Sequence, residues 1–260
     1  MTEKTDFDEL KEKATWFRTT WGVIFLLACL ILPLLAYLAF FWWFDHWHQY
    51  GALISQSVLA TAVSIICYSA MRHILPSVRT KSKKSQVLPG WATPLQFAFI
   101  FAPWYALSIH PLLVSGNALC PLWVAIPLAL FILILTLLMR RPAIQGEMSM
   151  AQLLSISLIF PQERTRVDKG IYSYIRHPAY ANLLLLSFGF ALLRNNWLAI
   201  FTALIFLIPN FVEIKLEDQE LIAQFGEEHR RYAEKTPAIF PHLADLGKFL
   251  KLIIATQPQT

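Results

Sequence analysis

The sequence predicts an all-α fold: a polytopic membrane helical bundle of about six transmembrane spans, with a C-terminal helical hairpin and a cytoplasmic segment beside it. With 56% hydrophobic and only 15% charged residues in 260, the chain is too apolar for a soluble globule. Most of its apolar runs approach the length that crosses ~30 Å of hydrocarbon. A polar corner at Arg194-Asn195-Asn196 divides the last two runs. The runs are residues 21–44, 53–71, 93–113, 119–139, 179–193 and 197–212.

The basic residues in the loops predict the orientation. They gather after the second and fourth spans, whereas the opposite loops hold Asp45, His46, His48, His110 and a lone Arg194. Because lysine and arginine in short loops stay cytoplasmic, we expect both termini in the cytoplasm. The membrane would be the inner or plasma membrane of a bacterium, or the endoplasmic reticulum of a eukaryote. The basic residues are Arg72, Arg79, Lys81, Lys83, Lys84, Arg140, Arg141, Arg164, Arg166, Lys169 and Arg176.

The net charge of +5 follows from this asymmetry and from attraction to anionic headgroups. It gives no support to a nucleic-acid partner. Cys29, Cys67 and Cys120 stand isolated in apolar surroundings and are expected to be packing residues. His46 and His48 are two positions apart, so a helix would point them to different sides. We therefore expect no metal site.

The apolar runs divide the chain into three parts. Residues 1–20 form a cytoplasmic N-terminal segment, with apolar side chains at helical spacing that fit either an amphipathic surface helix or a frayed terminus. Residues 21–139 form a four-span scaffold. Residues 140–260 form a core with a cytoplasmic loop, a helical hairpin and a C-terminal lid. The loop that follows Met139 is long for a simple connection, and such a loop can close a cavity against a bundle.

The stretch 167–180 carries the strongest local signals, reading Val-Asp-Lys-Gly-Ile-Tyr-Ser-Tyr-Ile-Arg-His-Pro-Ala-Tyr. Proline is favoured at the first position of a helix, so His177-Pro178 predicts the start of the fifth span. The free amides of a helix start, reinforced by Arg176, suit an anion. Gly170 permits close backbone approach. An interfacial anchor at headgroup depth is the alternative. The stacking faces come from Tyr172, Tyr174 and Tyr180.

An acidic stripe follows the last span. Glu213, Glu217, Glu220 and Gln224 recur at helical spacing and form one face. Because the acids repel one another, a cation should compensate them, either Arg176 and its neighbours or a charged ligand. A solvated helix extension would account for Glu220 better than for Glu213. The helix should end at Phe225-Gly226, before a lid-like segment that contains Tyr232 and residues 237–241.

Taken together, these motifs resemble the isoprenylcysteine carboxyl methyltransferase and phospholipid methyltransferase superfamily. The resemblance covers about the last third of the chain, in the family's order and spacing. Besides 167–180, it rests on Glu217-Asp218-Gln-Glu-Leu221, Phe225-Gly226-Glu-Glu-His-Arg-Arg-Tyr232 and Pro237-Ala-Ile-Phe-Pro241.

The resemblance implies a polytopic enzyme that transfers a methyl group from S-adenosylmethionine. The family holds this cofactor without a Rossmann sheet, and the chain has no GxGxxG turn. The acceptor would be a lipophilic or small thiol, amine or carboxylate, with membrane lipid as a partner. Arg176 would steer the cofactor's carboxylate or order the loop. The residues implied to contact the cofactor are Val167, Gly170, Tyr172, His177, Pro178, Tyr180, Glu217 and Asp218.

Three residues depart from the family pattern. Asp218 shortens one of the paired glutamates, and Asn182 stands where several relatives have glycine. Glu213 stands where the carboxyl-methylating relatives carry arginine, so a carboxylate acceptor becomes less favoured unless Lys215 substitutes. We expect Glu213 to act as a general base toward an amine or a thiol.

Two other classes stay open. Membrane sterol reductases share a similar C-terminal hairpin and bind NADPH there, but usually have more spans. A small transporter or an assembly protein is the non-enzymatic alternative. Transporters tend to place ionisable groups near the midplane and to show repeated halves, whereas here the charges lie at the membrane edge and no repeat is visible. The sequence does not predict the oligomeric state.

Overall fold

The structure is a computed structural model that describes residues 20–48, 50–79, 97–140 and 167–254, and these residues form helices and short connections without strands. The helices are α1 (Thr20–Trp47), α2 (Gly51–Arg79), α3 (Ala102–Ile109), α4 (Leu122–Met139), α5 (Pro178–Arg194), α6 (Trp197–Ile205), α7 (Leu207–Phe225), α8 (Glu227–Lys235) and α9 (Leu246–Ile254). A π-helical turn, Phe97–Phe101, leads into α3, and 3₁₀ turns cover His110–Leu112, Gly170–Ser173 and Leu243–Asp245.

The predicted membrane bundle is confirmed. Within the residues that the structure describes, four helical stretches are long and apolar enough to cross a membrane: Thr20–Trp47, Gly51–Arg72, Leu122–Met139 and Trp197–Phe225. The third and fifth predicted spans correspond to the shorter apolar helices Ala98–Leu112 and Pro178–Arg194. The N-terminal segment, most of the basic linker after α2 and most of the loop after α4 lie outside the described residues, and the three-part division of the chain stays a prediction.

Local signals explain where the helices begin and end. Proline occupies the first turn of α3 and of α5, where its missing N–H costs nothing. At the polar corner, Asn195 adopts a left-handed backbone (φ 53°) that closes α5. The side chain of Asn196 then accepts a hydrogen bond from the Ala199 amide at 2.8 Å and caps α6. The sequence Arg194-Asn195-Asn196 thereby turns the hairpin.

A proline also explains the break between α6 and α7. Pro209 has no N–H to offer the carbonyl four residues earlier, so the helical ladder is interrupted there. The side chain of Asn210 donates to the Phe206 carbonyl at 2.7 Å. The two helices therefore continue as one 29-residue apolar stretch.

Successive membrane helices run in opposite directions, so the ends of several helices lie together at each end of the bundle. We define the site end as the end where α2, α4 and α7 finish and α5 begins. Here α4 packs along α5, and α7 packs along α2. The main apolar cluster joins Met139 of α4 to Ile171 and Ile175 before α5 and to Phe249 and Ile253 of α9. The C-terminal segment is therefore part of the core and closes the site end.

The opposite end is held by a buried polar network, two of whose members, Asp45 and His110, were expected in loops. His110 is fully buried; its Nε2 contacts Asp45 at 2.9 Å and its Nδ1 contacts Oε1 of Gln56 at 2.8 Å. The amide of Gln56 donates to the carbonyls of Leu107 and Thr202. The expectation that Asp45 and His110 are loop residues was therefore wrong. They tie α1, α2, α3 and α6 together, because buried polar groups need partners.

Replacing Gln56 with leucine should destabilise the protein. The change leaves two buried carbonyls and one imidazole nitrogen without their partner, at a cost of about 1–3 kcal/mol per unsatisfied group. Thermal unfolding in detergent should show a clear drop in melting temperature. Ser57→Ala is the matched control, because that exposed hydroxyl bonds only its own helix at the Leu53 carbonyl. Equal melting temperatures for Gln56→Leu and the parent would contradict the structural role of the network.

Candidate active site

The carboxylate of Asp218 joins the two ends of the hairpin. From α7 it accepts a hydrogen bond from Nη2 of Arg176 at 2.8 Å and contacts Nε2 of His177 at 2.9 Å. Nε2 of His229 on α8 lies 3.4 Å from the same carboxylate. Arg176 thus compensates Asp218, which lies beside the predicted stripe of Glu213, Glu217 and Glu220. Within that stripe, Glu217 faces His177, the neighbour of Arg176.

His177 lies between the paired acids. Its Nδ1 is 3.3 Å from the carboxylate of Glu217, while its Nε2 faces Asp218. Only 4% of the residue is exposed. Burial opposes the charged imidazolium, but the hydrogen bonds and negative charges of Asp218 and Glu217 prevail and raise the pKa of His177 to about 9. His177 is therefore protonated at neutral pH and balances part of the acidic charge.

The C-terminal segment lies across this cluster. The amides of Arg176 and His177 donate to the carbonyls of Pro237 and Ala238, both at 2.9 Å. The Tyr232 hydroxyl donates to the Tyr172 carbonyl at 2.6 Å. The guanidinium of Arg176 also donates to the Thr236 carbonyl at 2.6 Å and to that of Ala233. The segment is thus fixed to the stretch before α5 at several points.

The stretch before α5 takes the shape that its residues predict. Gly170 has φ 62°, a left-handed backbone that favours glycine, and it opens the 3₁₀ turn Gly170–Ser173. His177 is non-helical (φ −122°, ψ 67°), and α5 begins at Pro178 as expected. Burial, with the negative charge of Glu217, raises the pKa of Tyr172 to about 12, so its hydroxyl stays protonated. Val167 lies at the start of this described stretch and is half-buried.

A row of rings leads from His177 into the bundle. The ring centroid of Tyr180 lies 5.8 Å from that of His177 and 5.8 Å from that of Trp104 on α3. The thiol of Cys67 on α2 contacts both the Trp104 indole and the carboxylate of Glu213. Glu213 lies one turn before Glu217 on α7. Its contact with Cys67 places it at the end of the row that is deeper in the bundle. Cys67 is buried as a packing residue would be, and it also touches a carboxylate.

Two polar residues are more buried than the sequence suggested. Glu220 is 2% exposed, so the solvated helix extension does not apply to it. His229 is also buried and received no role in the sequence analysis. Its position within the third resembling motif was the one available signal.

Asn182 joins α5 to α4. Its side chain donates to the Thr136 carbonyl at 2.6 Å and accepts from Nε of Arg140 at 2.8 Å. The side chain of Asn182 therefore holds the end of α4 beside the site. Within the described ranges, no three histidine, cysteine, aspartate or glutamate side chains are arranged to hold a metal ion.

The fold and this cluster define a polytopic helical membrane protein with a closed polar site at one end of the bundle. Residues 132–228 match the family model of phospholipid methyltransferases. A protein-S-isoprenylcysteine O-methyltransferase from Schizosaccharomyces pombe is 30% identical over 76 residues, which make up 29% of this chain and 32% of that protein. The chain thus spans about a third of the length of this curated relative. No solved structure matches the chain.

These matches confirm the resemblance to the isoprenylcysteine carboxyl methyltransferase and phospholipid methyltransferase superfamily. The matched region begins within α4, contains the whole hairpin and ends at Glu228. It therefore includes Arg176, His177, Glu217 and Asp218, whereas residues 237–241 lie beyond it.

The pH dependence of stability tests the charge state of His177. Between about pH 6.5 and about pH 9, the folded protein holds a proton on His177 that the unfolded chain has lost. The free energy of unfolding should therefore fall as the pH rises through this window, by about 3 kcal/mol in total.

Unfolding measured in detergent across this window should show the decline for the parent protein and a shallower one for His177→Gln. His242→Gln is the matched control, because His242 is exposed and remote from the acids; this variant should keep the parental slope. Identical slopes for the parent and His177→Gln would contradict the protonated state.

Proposed function

We propose that the protein is an integral membrane methyltransferase that transfers a methyl group from S-adenosylmethionine to a lipophilic or small acceptor. The observation that carries the proposal is the cluster of Arg176, His177, Glu217 and Asp218 at one end of the bundle. It lies inside the region that matches a methyltransferase family model. Motifs that form one common site must lie close together in space, and the motifs that carry the resemblance do so in this cluster.

The residues of the cluster fit such a cofactor. Nε of Arg176 and Nδ1 of His229 are buried and have no hydrogen-bond partner among the described residues, so they suit the polar groups of a nucleoside or an amino-acid carboxylate. The carboxylate of Glu217 keeps 24% of its side chain exposed and suits a cation. The ring faces of Tyr172 and Tyr180 suit stacking or a sulfonium charge. Gly170 and Pro178 would shape the backbone against the cofactor, with Val167 at its edge.

When bound, S-adenosylmethionine supplies an electrophilic methyl group for an in-line displacement. The protein's part is to align the acceptor with that methyl and to exclude water. Glu213 lies one turn farther into the bundle than Glu217, against Cys67. From there its carboxylate would orient an amine or thiol acceptor and accept its proton.

The nature of Glu213 favours some acceptors over others. A carboxylate acceptor would meet a second carboxylate and be repelled, and Lys215 on α7 is solvent-exposed. An amine or a thiol is therefore the acceptor class that the site suits best. We also propose that the site end faces the cytoplasm, since Arg72, Arg140, Lys169 and Arg176 all lie there.

Ligand binding tests the cofactor directly. S-adenosylhomocysteine should raise the melting temperature of the detergent-purified protein, because a ligand that binds only the folded state stabilises it by about 2.7 kcal/mol at about 100 times its Kd. Glu217→Gln should weaken this rise, and Glu234→Gln, which removes an exposed carboxylate on α8, should leave it unchanged. A rise with NADPH and none with S-adenosylhomocysteine would instead indicate a reductase.

Replacing Glu213 with glutamine should separate chemistry from cofactor binding. Turnover should fall by about 10²–10⁴-fold, the usual contribution of a general base, while the shift with S-adenosylhomocysteine stays as in the parent. Transfer of a radiolabelled methyl group would be measured with a lipid amine, a lipophilic thiol and a prenylcysteine carboxylate as acceptors. An unchanged rate with the preferred acceptor would remove Glu213 from the mechanism.

A further inference from the structure

The last described segment exposes large apolar side chains outside the membrane-spanning helices. On α9, Phe249 and Ile253 are buried in the main apolar cluster. Leu246, Leu250 and Ile254 form the neighbouring stripe, which the described part of the protein leaves more exposed. The exposed fractions are 58% for Phe240, 90% for Leu243, 41% for Leu246 and 63% for Ile254.

The arrangement around α9 is that of an interfacial helix. Leu252 packs against the same cluster. At 3.6 residues per turn, the buried stripe with Leu252 and the exposed stripe are adjacent and together form an apolar face about 200° wide. Lys248 and Lys251 project from the remaining face, and both are solvent-exposed. A wide apolar face flanked by lysines suits the boundary between acyl chains and anionic headgroups.

The depth of α9 follows from its neighbours. Phe249 and Ile253 share a cluster with Met139, the last residue of α4. Because α4 is long and apolar enough to cross a membrane and packs against α9, the part of the cluster around Met139 lies at the membrane edge. The exposed stripe of α9 is therefore at the level of the headgroups rather than in bulk water.

We propose that residues 240–254 form an interfacial anchor: Leu243, Leu246, Leu250 and Ile254 insert into the leaflet at the site end, and Lys248 and Lys251 face its anionic headgroups. The occupant of the exposed stripe is thus the lipid leaflet itself. This proposal is independent of the reaction that the protein catalyses.

The anchor is joined to the site by direct contacts. The ring of Phe249 lies 6.0 Å from that of Tyr174, in an edge-to-face arrangement, and Tyr174 follows the turn that leads to Arg176 and His177. Just before the anchor, the Ala238 carbonyl accepts the His177 amide. Insertion of α9 therefore holds the backbone of the site against the membrane surface.

Depth measurements test the anchor in the full chain. Single nitroxide labels would be placed at Leu243→Cys, Leu250→Cys and Lys248→Cys, in a background whose three native cysteines are replaced and whose unfolding transition matches the parent. The protein would be reconstituted in phosphatidylcholine vesicles with and without phosphatidylglycerol. Labels at 243 and 250 should collide more often with oxygen than with a water-soluble nickel complex, and the label at 248 should show the reverse.

Two results would overturn the proposal. A label at 243 or 250 as accessible to nickel as the label at 248 would place the stripe in water. Spin–spin broadening between labels on different molecules would mean that a second copy covers it instead.

A charge-reversal variant tests the contribution of Lys248 and Lys251 to the anchor. Lys248→Glu with Lys251→Glu leaves the apolar stripe intact and changes only exposed positions. In this variant the label at 243 should lie shallower in vesicles with phosphatidylglycerol, and at the parental depth in phosphatidylcholine alone. Equal depths in both lipids, for both proteins, would remove the lysines from the anchor.

Discussion

One carboxylate determines how the site end is built. Asp218 accepts from Arg176 and contacts His177 and His229, so three separate parts of the chain meet at a single side chain. Charges removed from water in this way lose hydration energy, which their mutual attraction recovers only when the geometry is good. The pairing joins these three parts of the chain, and the protonated His177 within it contributes stability at neutral pH. The C-terminal segment can lie across the site because the carbonyls of Ala233 and Thr236 accept from the same guanidinium.

A second polar network fixes the other end of the bundle. Asp45, His110 and Gln56 connect α1, α2, α3 and α6. In hydrocarbon, dispersion forces alone distinguish poorly between neighbouring helix positions, so hydrogen bonds between helices help to set their register. The bundle is thus tied by polar contacts at both ends, with Glu213 and Cys67 meeting in the apolar region between them.

Much of this architecture could be predicted from the sequence because its signals are local. Hydropathy located the helices, proline located the start of α5, and glycine located the end of α7. The resemblance brought His177 and the paired acids together in advance. Contacts between residues far apart in the chain could not be predicted from the sequence. A polar residue near the end of a span looks like a loop residue there, whether or not the fold buries it. His110 and Glu220 were missed for that reason, although both are buried. His229 was missed although it lies within one of the resembling motifs.

Glu213 and Glu217 are four residues apart on one helix, which separates them by about 6 Å along its axis. Under the proposed function, the polar donor would dock from the aqueous side while an oily acceptor would approach laterally from the bilayer. The two reactants would then meet only at the methyl group that passes between them. Neither compound would have to leave its own phase, and partitioning would keep their non-productive encounters rare.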